Sequence, residues 1–127
     1  NGEELTREYV KHTGAVAVLT INEKDELLLL KQYRRPVGSF LMEFPAGLLD
    51  VPGESKLDCA KRELAEEANL QASNWTELIS FHATPGGNTC VEIKEARSPI
   101  TAAPSCRPRM RLRGVKRHAS SRPVGVK

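Results

Sequence analysis

Residues 55–69, SKLDCAKRELAEEAN, constrain this chain more than any other stretch. Leu57, Ala60, Leu64 and Ala68 recur at spacings of three, four and four, which lays one apolar stripe along a helix from Lys56 to Ala68. Ser55 stands where a hydroxyl can cap the first free N–H groups. Asn69 stands where a left-handed residue ends a helix, a conformation that Asn tolerates better than other side chains bearing a Cβ. At about 100° per residue, Glu63, Glu66 and Glu67 share an arc of roughly 100° bordering the stripe. Like charges at these spacings cost a few tenths of a kcal/mol each when exposed, and partial burial adds to that. Arg62 can offset Glu66 at i,i+4, but one guanidinium does not neutralise three carboxylates. Two readings stay open from the helix alone. One is a solvated acidic face, since Glu is a good helix former. The other is a site for a hard divalent cation with oxygen ligands, for which Mg²⁺ or Mn²⁺ suits the residue types better than zinc. Glu54 lies just ahead of the helix and can join the cluster, and the turn in FPAGLLD can bring a backbone carbonyl close to it.

The flanking segments are of strand length. Ala15 to Ile21 is apolar and β-branched, Leu27 to Tyr33 is a second apolar run, and NEKDE between them predicts a hairpin. FLMEF predicts a short strand ending near Pro45 and Gly47, and Trp75 to His82 another. Strand, hairpin, strand, helix, strand is the order of an α/β (α+β) domain.

Charge divides the chain of 127 residues. Residues 1–90 carry nine Lys/Arg against fourteen Asp/Glu, a net −5, while residues 91–127 carry ten against two, a net +8. The second segment is rich in Ser, Pro and Arg and holds no Phe, Tyr or Trp, so it is expected to be a disordered basic tail following a 1–90 domain. RMRLR within it could form a short strand. A basic tail binds polyanions in a salt-sensitive way, but without aromatic side chains it offers bases no stacking platform, which argues against nucleic acid as the partner. No apolar run approaches the ~20 residues that span a bilayer, which argues against a membrane. Three cysteines without a CxxC or Cys/His cluster fit a reducing cytoplasm better than a disulfide or zinc scaffold. Asn1 to Arg7 does not read as a secretion signal, and a chain opening on Asn is expected to be a fragment or a processed product.

Gly47, then Glu54, then Arg62-Glu63-Leu64-Ala65-Glu66-Glu67-Ala68-Asn69-Leu70 resembles the Nudix box. The family pattern is Gly, five residues, Glu, seven residues, then Arg-Glu-apolar-any-Glu-Glu-any-Gly-apolar. The seven-residue gap from Glu54 to Arg62 is kept. Six residues, Leu48 to Gly53, replace the first five, and Asn69 replaces the final Gly. KQYRRPVG, MEFPAG and Pro85 are similar to the ADP-ribose pyrophosphatase branch, and the resemblance covers about residues 7–87.

The resemblance implies a Nudix-type mixed β-sheet flanked by helices, incomplete at the C-terminus. It implies Mg²⁺-dependent (or Mn²⁺-dependent) hydrolysis of the pyrophosphate bond of ADP-ribose or a related nucleoside diphosphate sugar, releasing AMP and a sugar phosphate. By position, Glu63 and Glu67 are the metal ligands with the Ala46 carbonyl. Glu54 and Glu66 are supporting carboxylates, and Arg62 orients them. Arg34 and Glu43 are expected to touch substrate. His12 and His82 are expected to be structural, and Tyr33 and Phe44 core. A homodimer is implied where the domain is complete. After residue 87 the branch has a further catalytic glutamate; the only acids here are Glu92 and Glu95, neither in a family context. A catalytically impaired remnant that binds nucleotide or a partner is the alternative.

Overall fold

The computed structural model describes residue 2, residues 4–84 and 86–104, and the backbone of a strand at 112–116. The predicted hairpin forms from β1 (Ala15–Ile21) and β2 (Glu26–Arg34). Asn22 closes it, its Oδ1 accepting from the N–H groups of Lys24 and Glu26. The FLMEF region yields two strands, β3 (Ser39–Glu43) and β4 (Ala46–Leu48), because Pro45 between them has no N–H to continue a ladder. Helix α1 spans Lys56–Ala68 as the periodicity requires. Ser55 caps it by accepting the Asp58 N–H, and Asn69 ends it at φ 57° and ψ 38°. Strand β5 (Leu70–His82) starts five residues earlier than expected.

The main correction concerns the compositional boundary at residue 90. The sheet does not stop there. β6 (Cys90–Ala102) enters its centre, parallel to β1 from Ala15–Val91 to Ile21–Arg97 and antiparallel to β5. Net charge and Ser/Pro content concealed a strand with a buried face at Glu92, Lys94 and Ala96. The strand order is β3-β2-β1-β6-β5, with β4 paired to β1 and β7 (Leu112–Lys116) to β2. Most of RMRLR, Pro85 and the rest of the basic tail lie outside the described residues.

Helix α1 covers one face of this mixed sheet. Val16, Val18, Leu28, Leu30 and Ala96 meet Cys59, Ala60, Leu64 and Ala68 in one core. Leu57, expected in the stripe, is only half-buried, and Cys59 is fully buried instead. Where the resemblance implied flanking helices, α1 is the one helix among the described residues. It is not long and apolar enough to cross a membrane.

β6 also carries an unusual burden for a central strand. Glu92 is 2% exposed and Lys94 8% exposed. Glu92 accepts from Lys56 at the start of α1 at 2.5 Å and also pairs with Lys94. Burial pushes the Glu92 carboxyl up, but the two ammonium groups outweigh it and hold it below the usual carboxylate range.

Candidate active site

The acidic edge of α1 faces strand β4, and three contacts fix it there. Glu67 Oε2 accepts the Ala46 N–H at 3.0 Å. Cys59 Sγ donates to the Leu48 carbonyl at 3.4 Å. Glu63 lies against Gly47 so closely that a Cβ there would stand 2.0 Å from Oε1. The glycine is thus required by the approach of a carboxylate rather than by its own dihedral angles.

Arg62 organises the carboxylates. Its Nε and Nη2 donate to the two oxygens of Glu54 at 2.8 and 3.0 Å, and Nη1 donates to Glu63 at 2.6 Å. Glu66 lies within 3.6 Å of the same Nη1. The i,i+4 partner anticipated from the helix is therefore the most distant of three, and the two-point pairing is a fork onto Glu54 in the preceding loop. These hydrogen bonds raise the Arg62 pKa against the effect of burial. The same guanidinium holds the Glu54 carboxyl below its usual range. Cys59, against Arg62 Nη2, is pushed up to about 11 by burial and so stays a thiol at neutral pH. The sequence reading missed Cys59; its place three residues before Arg62, on the same helix face, was the available signal.

Arg34 and Glu43, expected as separate substrate contacts, hold each other. Arg34 donates twice to Glu43, at 2.8 and 2.6 Å, across β2 and β3. This pair raises the arginine and lowers the carboxyl. Glu67 also contributes to the field at Arg34, so the pair belongs to the same neighbourhood as α1. Tyr33, expected in the core, is half-exposed and packs edge-on against Phe40. His12 accepts the Gly14 N–H through Nδ1, a structural contact, and His82 is exposed on β5.

The donor set of the acidic edge is all oxygen, which suits a hard dication. Among the described residues, no group of three or more His, Cys, Asp or Glu side chains is gathered to hold one metal ion. Arg62 engages one oxygen of Glu63, Oε1, and the Ala46 amide one oxygen of Glu67, Oε2.

The NUDIX domain family matches residues 11–100, a span that takes in the box and most of β6. The chain belongs to the Nudix family. It is 46% identical over 85 residues to the ADP-ribose pyrophosphatase of Mycobacterium tuberculosis, covering 67% of this chain and 41% of the relative. It is 41% identical over 86 residues to the ADP-ribose pyrophosphatase of Bacillus subtilis, covering 68% and 46%. The solved structure of an ADP compounds hydrolase superimposes with a TM-score of 0.69 at 28% identity, over 80% of this chain and 55% of that one. This Nudix chain therefore spans less than half the length of these curated relatives. Its box departs from the family pattern in the extra loop residue and in Asn69, and neither change disturbs the helix. The loop still delivers Glu54 to Arg62, and Asn69 adopts the left-handed conformation that the family's glycine would supply.

Proposed function

We propose that the acidic edge of α1 hydrolyses the pyrophosphate bond of ADP-ribose or a related nucleoside diphosphate sugar, releasing AMP and a sugar phosphate. The observation that carries this reading is the joint placement of Glu63 and Glu67 against Ala46 and Gly47 of β4, with Glu54 and Arg62 behind them. The names of the relatives support the substrate class. Glu63, Glu67 and the Ala46 carbonyl would hold Mg²⁺ or Mn²⁺, which when bound screens the diphosphate and supplies a water of lowered pKa. Arg62 orients Glu54 and Glu63, and its guanidinium holds the Glu54 carboxyl below its usual range. Glu66 adds negative charge at the outer end of the cluster. Arg34 presents a fork to a phosphate oxygen once Glu43 releases one of its two contacts.

One observation favours a second reading, a nucleotide-binding remnant without turnover. Of the two acids after residue 87, Glu92 is buried on Lys56 and Lys94, and Glu95 pairs with Arg97. Neither is placed to act as a base at the α1 edge. The test is AMP release by the purified chain from a panel of nucleoside diphosphate sugars, with and without Mg²⁺. Turnover of ADP-ribose that needs the cation and disappears in Glu67→Gln supports the enzyme. Ligand-induced stabilisation with no AMP from any compound supports the remnant.

A further inference from the structure

We propose that the cavity at the turn end of β1 and β2 is a binding site for a small amphipathic amine, separate from the acidic edge of α1. The cavity measures about 360 Å³, within the range of small-molecule sites, and its walls include Thr20, Glu26, Leu27, Leu28, Leu70 and Ile100. Thr20 follows Val16 and Val18 on one face of β1 by strand alternation. Val16 and Val18 are covered by the helix, whereas Thr20 opens onto the cavity beside Leu70, two residues past the end of α1.

Thr20 is 3% exposed, and its Oγ1 has no hydrogen-bond partner among the described residues. Valine has the same shape without the cost of an unpaired buried hydroxyl. Ser98, whose Oγ is likewise buried and unpartnered, stands at the same end of the sheet, one residue past the Ile21–Arg97 pair. Glu26 accepts from Asn22 Nδ2 at 2.9 Å and makes no ion pair with any described residue, its ladder partner on β7 being Lys116. No Lys or Arg is among the described lining residues. A hydroxyl, leucine and isoleucine walls and a carboxylate without an ion pair among the described residues together select the ligand. An ammonium group meets Glu26, an apolar body meets Leu27, Leu28, Leu70 and Ile100, and a polar atom on that body meets Thr20.

The test is an NMR titration of the whole chain, reading the methyl resonances of Leu27, Leu28, Leu70 and Ile100. Three probes are used: tyramine, phenethylamine, which lacks the hydroxyl, and 3-(4-hydroxyphenyl)propionate, which inverts the charge. Tyramine is expected to shift these resonances saturably, phenethylamine to bind about fivefold more weakly, and the propionate not to saturate. Thr20→Val is expected to fold at least as stably as the parent and to remove the preference for tyramine over phenethylamine. Glu26→Gln is expected to weaken both amines. The proposal is overturned by the absence of saturable shifts at these methyls, by equal binding of the propionate, or by unchanged affinities in both variants. None of these readings depends on pyrophosphate hydrolysis.

Discussion

Gly47 and Glu63 meet at a contact that admits no side chain on the glycine: a Cβ would fall 2.0 Å from the carboxylate oxygen and 2.3 Å from Cγ. Strand β4 and the acidic edge of α1 are therefore fitted to each other, and neither can shift without moving the carboxylates.

Gly47→Ala should expel the Glu63 side chain while leaving the helix in place, because the clash involves a flexible side chain and not backbone. AMP release from ADP-ribose is expected to fall by about tenfold to a hundredfold, the usual effect of misplacing a reacting group by an ångström. The melting temperature should change by only about 2 °C. Steady-state kinetics beside a thermal melt would separate the two effects.

Arg62→Ala should act on both. Glu54 and Glu63 lose their shared cation, and crowded carboxylates are left at the helix edge. A fall in melting temperature of about 5 °C is expected, together with loss of turnover. Arg62→Lys should recover less than half of either, since an ammonium group cannot fork onto Glu54 while reaching Glu63.

Glu92 sets an acid limit on the fold. Its pKa is lowered in the folded state, so its contribution is fully present above the ordinary value of 4.5 and is lost as pH falls through the lower folded value. Glu92→Gln should cost about 3 kcal/mol at neutral pH, because it leaves Lys94 buried with only Glu77 at 3.7 Å. The same variant should flatten the loss of stability below pH 4.5. Glu92→Leu combined with Lys94→Met should be more stable than either single change, since apolar packing replaces both buried charges. Urea unfolding across pH 3 to 7 would read each of these outcomes.

Asn69→Ala should destabilise by about 1 kcal/mol, the cost of a left-handed residue carrying an ordinary Cβ. Asn69→Gly should fall within about 0.5 kcal/mol of the parent. Equilibrium unfolding with an unchanged m-value would show that only the helix end is affected.

The local elements were legible because their signals are local. The helix, its Ser55 and Asn69 caps and the β1–β2 hairpin follow from spacing and turn chemistry within a few residues, and each lies where the pattern puts it. What escaped the sequence is long-range. β6 reads as a charged, proline-containing segment, and only its position between β1 and β5 makes Glu92, Lys94 and Ala96 an interior face. The acidic edge was found, but not how it is held. A capping pair such as Ser55 and Asp58 is visible by eye, whereas the reach of Glu67 back to the Ala46 amide depends on how the seven residues between β4 and α1 fold. Arg34 and Glu43 were each singled out, yet their mutual pairing depends on the β2–β3 register.

Because β6 runs alongside β1 in the same direction, the two neighbours are some 76 positions apart in sequence. The chain through residue 102 must leave the ribosome before this interior strand can be fully inserted. Until then the first hairpin and the helix have only half a surface to fold against, and β5 has no described strand to pair with. Assembly of this sheet is consequently a late event, and any interruption of synthesis ahead of residue 102 would release a chain with two unmatched halves.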